Sequence, residues 1–346
     1  ESLHNLINNA FLKRYNDTYS FYHATYADKI ITDFNDEYLM EDIAELILIL
    51  KEYENAYYLT STAAFLLNRN EPLLAIDVAS ISIKIKNDYA KAYSVRGLSY
   101  CKVDNYSSAI KDFDEAIKLE RDNANFYNNR GVAKSFNNDL KGAIKDYNIS
   151  ISLKIDHPET YFNRGTAYYH LGNIRRALDD YDTTIDLSPD NAFAYNNRGI
   201  VKSHTLKNYD EAILDYTTAI RLKPDYFNAY YNRANVKNYN VKDFSGAVDD
   251  YEKTIELNPD FTEAYYNLAL ACLFRGDKER AYREIKEAVM LSDWVKYAIA
   301  NDGDLLNWLD ANPSIALEIS EHINKLIYPE RIIYKPHDVD NHVEKD

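Results

Sequence analysis

The chain of 346 residues has only two cysteines, nine glycines, eight prolines and no long apolar run. Each scarcity removes a class of structure. Cys101 and Cys272 stand far apart at apolar helical positions, so they build no disulfide framework and read as two buried thiols. That usage fits a reducing compartment, and the cytoplasm is the expected location. The first residue is Glu rather than Met, which leaves open an exported protein whose signal peptide has been removed. Few glycines and prolines argue against a many-turned all-β fold and favour long helices. The longest apolar stretch, Ile43 to Leu50, is broken by Glu45 and suits a buried helix, so no membrane span is expected. An excess of basic residues is missing too. The net charge is −15, and a surface that acidic repels phosphate backbones, which makes nucleic acid a poor partner.

What the chain does have is a period. Tyr93, Tyr127, Tyr161 and Tyr195 recur every 34 residues, and Arg-Gly follows three residues later each time, from Arg96-Gly97 to Arg198-Gly199. Tyr230 with Arg233-Ala234 continues the series after 35 residues. Seven repeats follow: 56–89, 90–123, 124–157, 158–191, 192–226, 227–261 and 262–295. Within each, apolar positions fall at helical spacing: Tyr161 and Tyr168 share one face, and Ala177, Tyr181 and Thr184 share another.

In repeat 158–191 the series Tyr161, Gly165, Tyr168, Ala177, Tyr181 and Pro189 resembles the tetratricopeptide repeat family, as does Tyr93, Gly97, Tyr100, Ala109, Phe113 and Ala116 in 90–123. The resemblance covers about 240 residues in register. It implies an all-α fold, a TPR αα superhelix: a right-handed solenoid of antiparallel helix pairs whose first helices line a concave groove. Such short helices are unstable alone and must be stabilised by stacking on their neighbours.

Punctuation fits this reading. Gly172 and Gly276 mark turns between paired helices, and Asn105, Asp139, Asn208 and Asp243 are expected to cap second helices. Asp88, Asp122, Asp156, Asp190, Asp225 and Asp260 are expected to cap first helices, with Glu159 and Glu263 at capping-box spacing from Asp156 and Asp260. Pro189, Pro224 and Pro259 stop the helix before them. The extra residue in two repeats, near Leu206-Lys207 and Val241-Lys242, is expected in the turn between helices. Outside the repeats we expect an N-terminal helical cap (1–55), C-terminal capping helices (296–328) with Trp294 and Trp308 covering the open end, and a polar tail (329–346).

The arginine after each tyrosine is unusual for the family, which has an apolar residue there. Arg96, Arg130, Arg164, Arg198 and Arg233 are each matched 16 or 17 residues downstream by Asp112, Asp146, Asp180, Asp215 and Asp250. Repeat 56–89 lacks both members, with Thr62 and Val78. This co-occurrence reads as a repeated structural ion pair rather than a ligand-binding arginine ladder. Lys134, Lys202 and Lys237 replace an aromatic on the first helix; their stems are expected to pack while the amines reach water.

The residue before the arginine, carried over from the family, faces the groove. It is Asn129, Asn163, Asn197, Asn232 and then, before Leu268, Asn267. A carboxamide both donates and accepts, so it can pair with a peptide backbone of any sequence. The arrangement resembles the asparagine ladder of the O-linked N-acetylglucosamine transferase solenoid, whose catalytic domain has no counterpart here. Bonding along the stack is the alternative role for these residues. Phe162, Tyr169, Tyr231 and Tyr266 nearby are candidate anchors for a partner, joined by Phe136, Tyr239 and Phe274. A carboxylate clamp would need Lys one residue before the asparagine position, where the chain has Ser94, Asn128, Phe162, Asn196, Tyr231 and Tyr266.

His170 and His204 occupy equivalent positions but lack further ligands, and no metal or cofactor is expected. No phosphate-binding loop, nucleophile elbow or Cys/His metal spacing appears, so no catalytic residue is assigned and the chain is not expected to be an enzyme. The expected role is a scaffold or adaptor binding a protein or peptide in the groove. The alternatives are a non-catalytic subunit or fragment of a larger enzyme or assembly, and self-association.

Overall fold

The computed structural model describes residues 55–154 and 156–291, together with two three-residue strands, β1 (Lys13–Tyr15) and β2 (Thr18–Ser20), paired antiparallel. This hairpin falls in the segment expected as a helical cap. The expected helices of 1–55 and 296–328, Trp294, Trp308 and the tail 329–346 lie outside the described residues.

Among the described residues fourteen α-helices follow, two to each stretch of the period. They are α1 (Ala56–Asn68) and α2 (Pro72–Ile85), α3 (Ala90–Lys102) and α4 (Tyr106–Leu119), α5 (Ala124–Phe136) and α6 (Leu140–Leu153), and α7 (Pro158–His170) and α8 (Ile174–Leu187). Then come α9 (Ala192–Ile200) and α10 (Tyr209–Leu222), α11 (Phe227–Asn235) and α12 (Phe244–Leu257), and α13 (Thr262–Arg275) and α14 (Lys278–Leu291). Each of the seven stretches of the period contains two of these helices. The chain divides into two compact units between Leu171 and Gly172, with α1–α7 in the first and α8–α14 in the second. Inside each unit every helix packs on its neighbours in sequence, and in the first unit α1, α3, α5 and α7 also touch in series.

The turn inside each hairpin carries a left-handed residue. These are Asn70, Asp104, Asn138, Gly172, Lys207, Lys242 and Gly276, one per repeat. The two glycines adopt φ of 74° and 90° without steric cost. Asn105, Asp139 and Asp243 cap the following helix by accepting from the backbone N–H of Ser108, Gly142 and Gly246. Asn208 occupies the same place without a cap bond.

Two expectations about local structure need correction. The six aspartates between repeats are not N-caps: that place belongs to the next residue, Tyr89, Asn123, His157, Asn191, Tyr226 and Phe261. Asp156 and Asp260 therefore form no capping box. The connecting turn engages several of these carboxylates instead. Asp88 pairs with Lys86 at 3.0 Å, Asp225 with Lys223 at 2.9 Å, and Asp190 accepts from the Ser188 hydroxyl. The adjacent lysines hold the Asp88 and Asp225 carboxyls below the usual carboxylate range.

The second correction concerns the inserted residues. They do not lengthen the turn. α9 runs into a π-helical turn, Val201–Thr205, and α11 into another, Val236–Val241. A π-turn adds one residue to a helix while keeping its hydrogen-bond ladder, so the extra length is absorbed inside the first helix.

The core is a file of second-helix rings against small first-helix residues. Phe113, Tyr147, Tyr216 and Tyr251 are fully buried. A Cβ added at Gly131 would stand 2.5 Å from the Tyr147 ring, and one at Gly199 would stand 2.8 Å from Tyr216. The small position thus admits an aromatic ring, not a bare helix backbone. Burial pushes the Tyr147 hydroxyl up to about 12, although its bond with Ser135 opposes the shift.

Candidate functional site

The first-helix face is built on a charged framework. Arg96 on α3 lays Nε and Nη2 on both oxygens of Asp112 on α4, at 2.8 and 2.7 Å. Arg130 with Asp146, Arg198 with Asp215 and Arg233 with Asp250 repeat the fork at 2.6–2.9 Å. Arg164 and its expected partner Asp180 lie one in each unit. The aspartates are nearly sealed from water, with Asp146 side-chain exposure at 3% against 16% for Arg130. Hydrogen bonds to Asp112 raise the Arg96 guanidinium above its ordinary value, against the opposing effect of burial.

Sequence reasoning missed the third contact of each arginine. Its Nη1 reaches back to the second helix of the preceding repeat, always 16 residues upstream. Arg96 meets Ser80, Arg130 Asp114, Arg164 Asn148, Arg198 Asp182 and Arg233 Thr217, at 2.6–3.1 Å. A polar residue stands at all five positions, and that regularity was the available signal. Each guanidinium also lies 5.4–5.8 Å from the ring centre of the tyrosine three residues before it. One arginine therefore bolts together its own hairpin and the one before.

The lysines were misread as well. Lys134, Lys202 and Lys237 do not carry their amines to water but aim them at the same buried aspartates, Asp146, Asp215 and Asp250, at 2.8–2.9 Å. A carboxylate held by Arg alone would keep unsatisfied lone pairs in a dry setting, and a second cation on the same helix face meets them.

The five asparagines are half-buried, and their bonding differs along the chain. Asn163 Nδ2 donates to Asn128 Oδ1 of the preceding repeat at 3.2 Å, and Asn232 Nδ2 donates to Asn196 Oδ1 at 2.9 Å. Asn128 and Asn196 are buried and donate in turn to the side chains of Asn129 and Asn197. Asn129, Asn163, Asn197 and Asn232 each keep acceptor and donor capacity beyond these bonds. In Asn267 both N–H groups are spent, on the Tyr231 hydroxyl at 2.9 Å and Asn235 Oδ1 at 3.2 Å, and Oδ1 accepts from the Tyr239 hydroxyl at 2.8 Å.

The aromatic candidates also separate. Tyr266 is not an available anchor: it is 6% exposed and packs in a core cluster with Ala269, Leu270, Ile285 and Val289, because its first-helix position turns towards α14. Tyr231 is half-buried, its ring edge-on to Phe261 at 4.8 Å. Phe162 and Tyr169 are half-buried, and Tyr169 tilts against the His170 ring at 5.7 Å. Phe136 is exposed and stacks on Tyr106, with ring centres 5.3 Å apart. Tyr239 is exposed.

His170 and His204 are exposed, and among the described residues no group of three or more His, Cys, Asp or Glu could hold a metal. Cys272 is buried, but Cys101 is only half-buried, a small departure from the two buried thiols expected. Burial pushes both thiols up to about 11, which leaves them protonated and weakly reactive at neutral pH. No described helix is long and apolar enough to cross a membrane.

Short helices that recur in pairs among the described residues, with an arginine in five of the repeats that reaches back to the preceding one, define an all-α hairpin-repeat protein of the αα-superhelix class. Family profiles agree: one described as TPR repeat matches residues 97–134 and 204–237, and two described as tetratricopeptide repeat match 158–191 and 250–283. The chain belongs to the tetratricopeptide repeat family.

No curated protein matches the chain. Among solved structures it is similar to pilF of Pseudomonas aeruginosa, with 15% identity and a TM-score of 0.55 over 63% of this chain and 96% of that one. It is also similar to a tetratricopeptide repeat protein from Parabacteroides merdae, with 18% identity and a TM-score of 0.54 over 70% of this chain and 96% of that one. The C-terminal part of a TPR repeat-containing protein from Cytophaga hutchinsonii gives 20% identity and a TM-score of 0.52 over 72% of this chain and 98% of that one. At these identities the likeness is one of fold.

Proposed function

We propose that this protein is an interaction scaffold whose first-helix face binds an extended segment of a partner polypeptide. The observation that carries the reading is the series Asn129, Asn163, Asn197 and Asn232, two in each unit, each with hydrogen-bonding capacity left over. A carboxamide with a spare donor and acceptor suits a peptide group, and recurrence in successive repeats of one unit suits a ligand that presents its backbone at intervals. The arginine bolts and the buried Asn128 and Asn196 hold these amides in place, which lowers the entropic cost of engaging a ligand.

Each rung contributes about 0.5–1.5 kcal/mol net, so three together change affinity by about tenfold or more. The test is selection of a pooled random dodecapeptide library on the full chain, then measurement of the enriched peptides on an Asn163→Ala, Asn197→Ala, Asn232→Ala variant. Affinity falls by about tenfold or more while the melting temperature stays within a few degrees. Equal affinity on a folded triple variant rules the asparagine face out as the binding surface.

A further inference from the structure

We infer that Asn267 is a closed rung and that the peptide-binding series ends at Asn232, with Tyr239 as the residue that sets this end. The inference rests on the groove reading proposed above and sharpens it by assigning the limit of the ligand's footprint. Four of the five asparagines have a donor to spare, whereas Asn267 has no N–H left, and its oxygen is engaged by the Tyr239 hydroxyl. Opening it for a ligand would strip hydrogen bonds from Tyr231, Asn235 and Tyr239 at once.

The lock draws on an element not found among the described residues of the first unit. Tyr239 lies in the π-turn Val236–Val241, created by the inserted residue, and from there its hydroxyl reaches the next repeat's asparagine. In repeat 124–157, which has no insertion, Phe136 is the aromatic on the same helix turn, and it carries no hydroxyl to close Asn163. Tyr231 stands where Asn128 and Asn196 stand in earlier repeats, and it too contributes an oxygen rather than a carboxamide. Two tyrosine substitutions and one insertion thus convert an available amide into a structural one.

The test uses the full chain and the dodecapeptides enriched from the pooled random library. Asn197→Ala combined with Asn232→Ala weakens binding by about tenfold or more. Asn267→Ala changes binding by less than about twofold but lowers the melting temperature more than Asn232→Ala does, because three partners lose their bond. Tyr239→Phe also lowers the melting temperature and leaves binding unchanged. Peptides that lose as much affinity on Asn267→Ala as on Asn232→Ala would overturn the closed rung while leaving the groove reading intact. A library that yields no enriched peptide overturns the groove reading, and this assignment with it.

Discussion

At the residue scale the arginine carries more structure than any other side chain on the first helix. It meets a buried carboxylate, a tyrosine face and a polar group of the preceding hairpin, so its loss acts on two hairpins. The cost of that loss depends on what remains at the carboxylate. Asp146 keeps Lys134 when Arg130 is removed, whereas Asp112 is left without its cation when Arg96 is removed, since Tyr100 stands in the lysine's place. Stripping a buried charge of its partner costs about 3–5 kcal/mol. Arg96→Ala is therefore expected to cost about that much, and Arg130→Ala distinctly less, as measured by urea unfolding. Arg130→Ala with Lys134→Ala should exceed the sum of the two single changes, because only the pair leaves Asp146 alone. Equal costs for Arg96→Ala and Arg130→Ala would show that the lysine does not share the acid.

At the element scale the interesting choice is how a helix takes in one residue too many. Repeats 192–226 and 227–261 widen the last turn of the first helix and still deliver the chain to the same left-handed turn position. The outcome is visible in Lys207 and Lys242, which hold φ of 58° and 66° where Gly172 and Gly276 stand in other repeats. A residue with a Cβ loses about 1–2 kcal/mol in that conformation. Glycine gives back part of this gain through its larger freedom in the unfolded chain. Lys242→Gly is expected to stabilise the chain by about 1 kcal/mol in denaturant titration, without moving the first-helix asparagines. A destabilised variant would mean that the lysine side chain itself holds the turn.

At the scale of the whole molecule, recurrence makes one weakness common to many hairpins. Tyr147 and Tyr251 are buried rings whose hydroxyls are raised by loss of water, Tyr147 up to about 12 and Tyr251 well above 10. The unfolded chain releases these protons near pH 10, before the folded chain does. The unfolded state therefore binds fewer protons between pH 10 and 12, and stability falls with rising pH across that window. Below pH 10 the contribution is fully present. Thermal melting followed from pH 8 to 12 should show a steep loss above pH 10. Tyr147→Phe should soften that slope and keep the fold at neutral pH, since Phe113 fills the equivalent place one repeat earlier. An unchanged slope in this variant would exclude Tyr147 as a source of the alkaline limit.

The sequence alone determined the recurrence of short helices in pairs and the match of Arg with Asp at Arg96, Arg130, Arg198 and Arg233. Both are periodic, and a helix that must stack on copies of itself writes its packing needs at fixed intervals. Tertiary structure decided what periodicity cannot encode. The destination of Lys134, Lys202 and Lys237 depended on whether an acid lay under the amine, a contact between helices that the lysine positions do not specify. The π-turns arose because keeping a backbone ladder intact outweighed lengthening a loop. The split between open and closed asparagines followed from hydroxyls on neighbouring hairpins, so five identical residues in one register came to hold different hydrogen-bonding capacity.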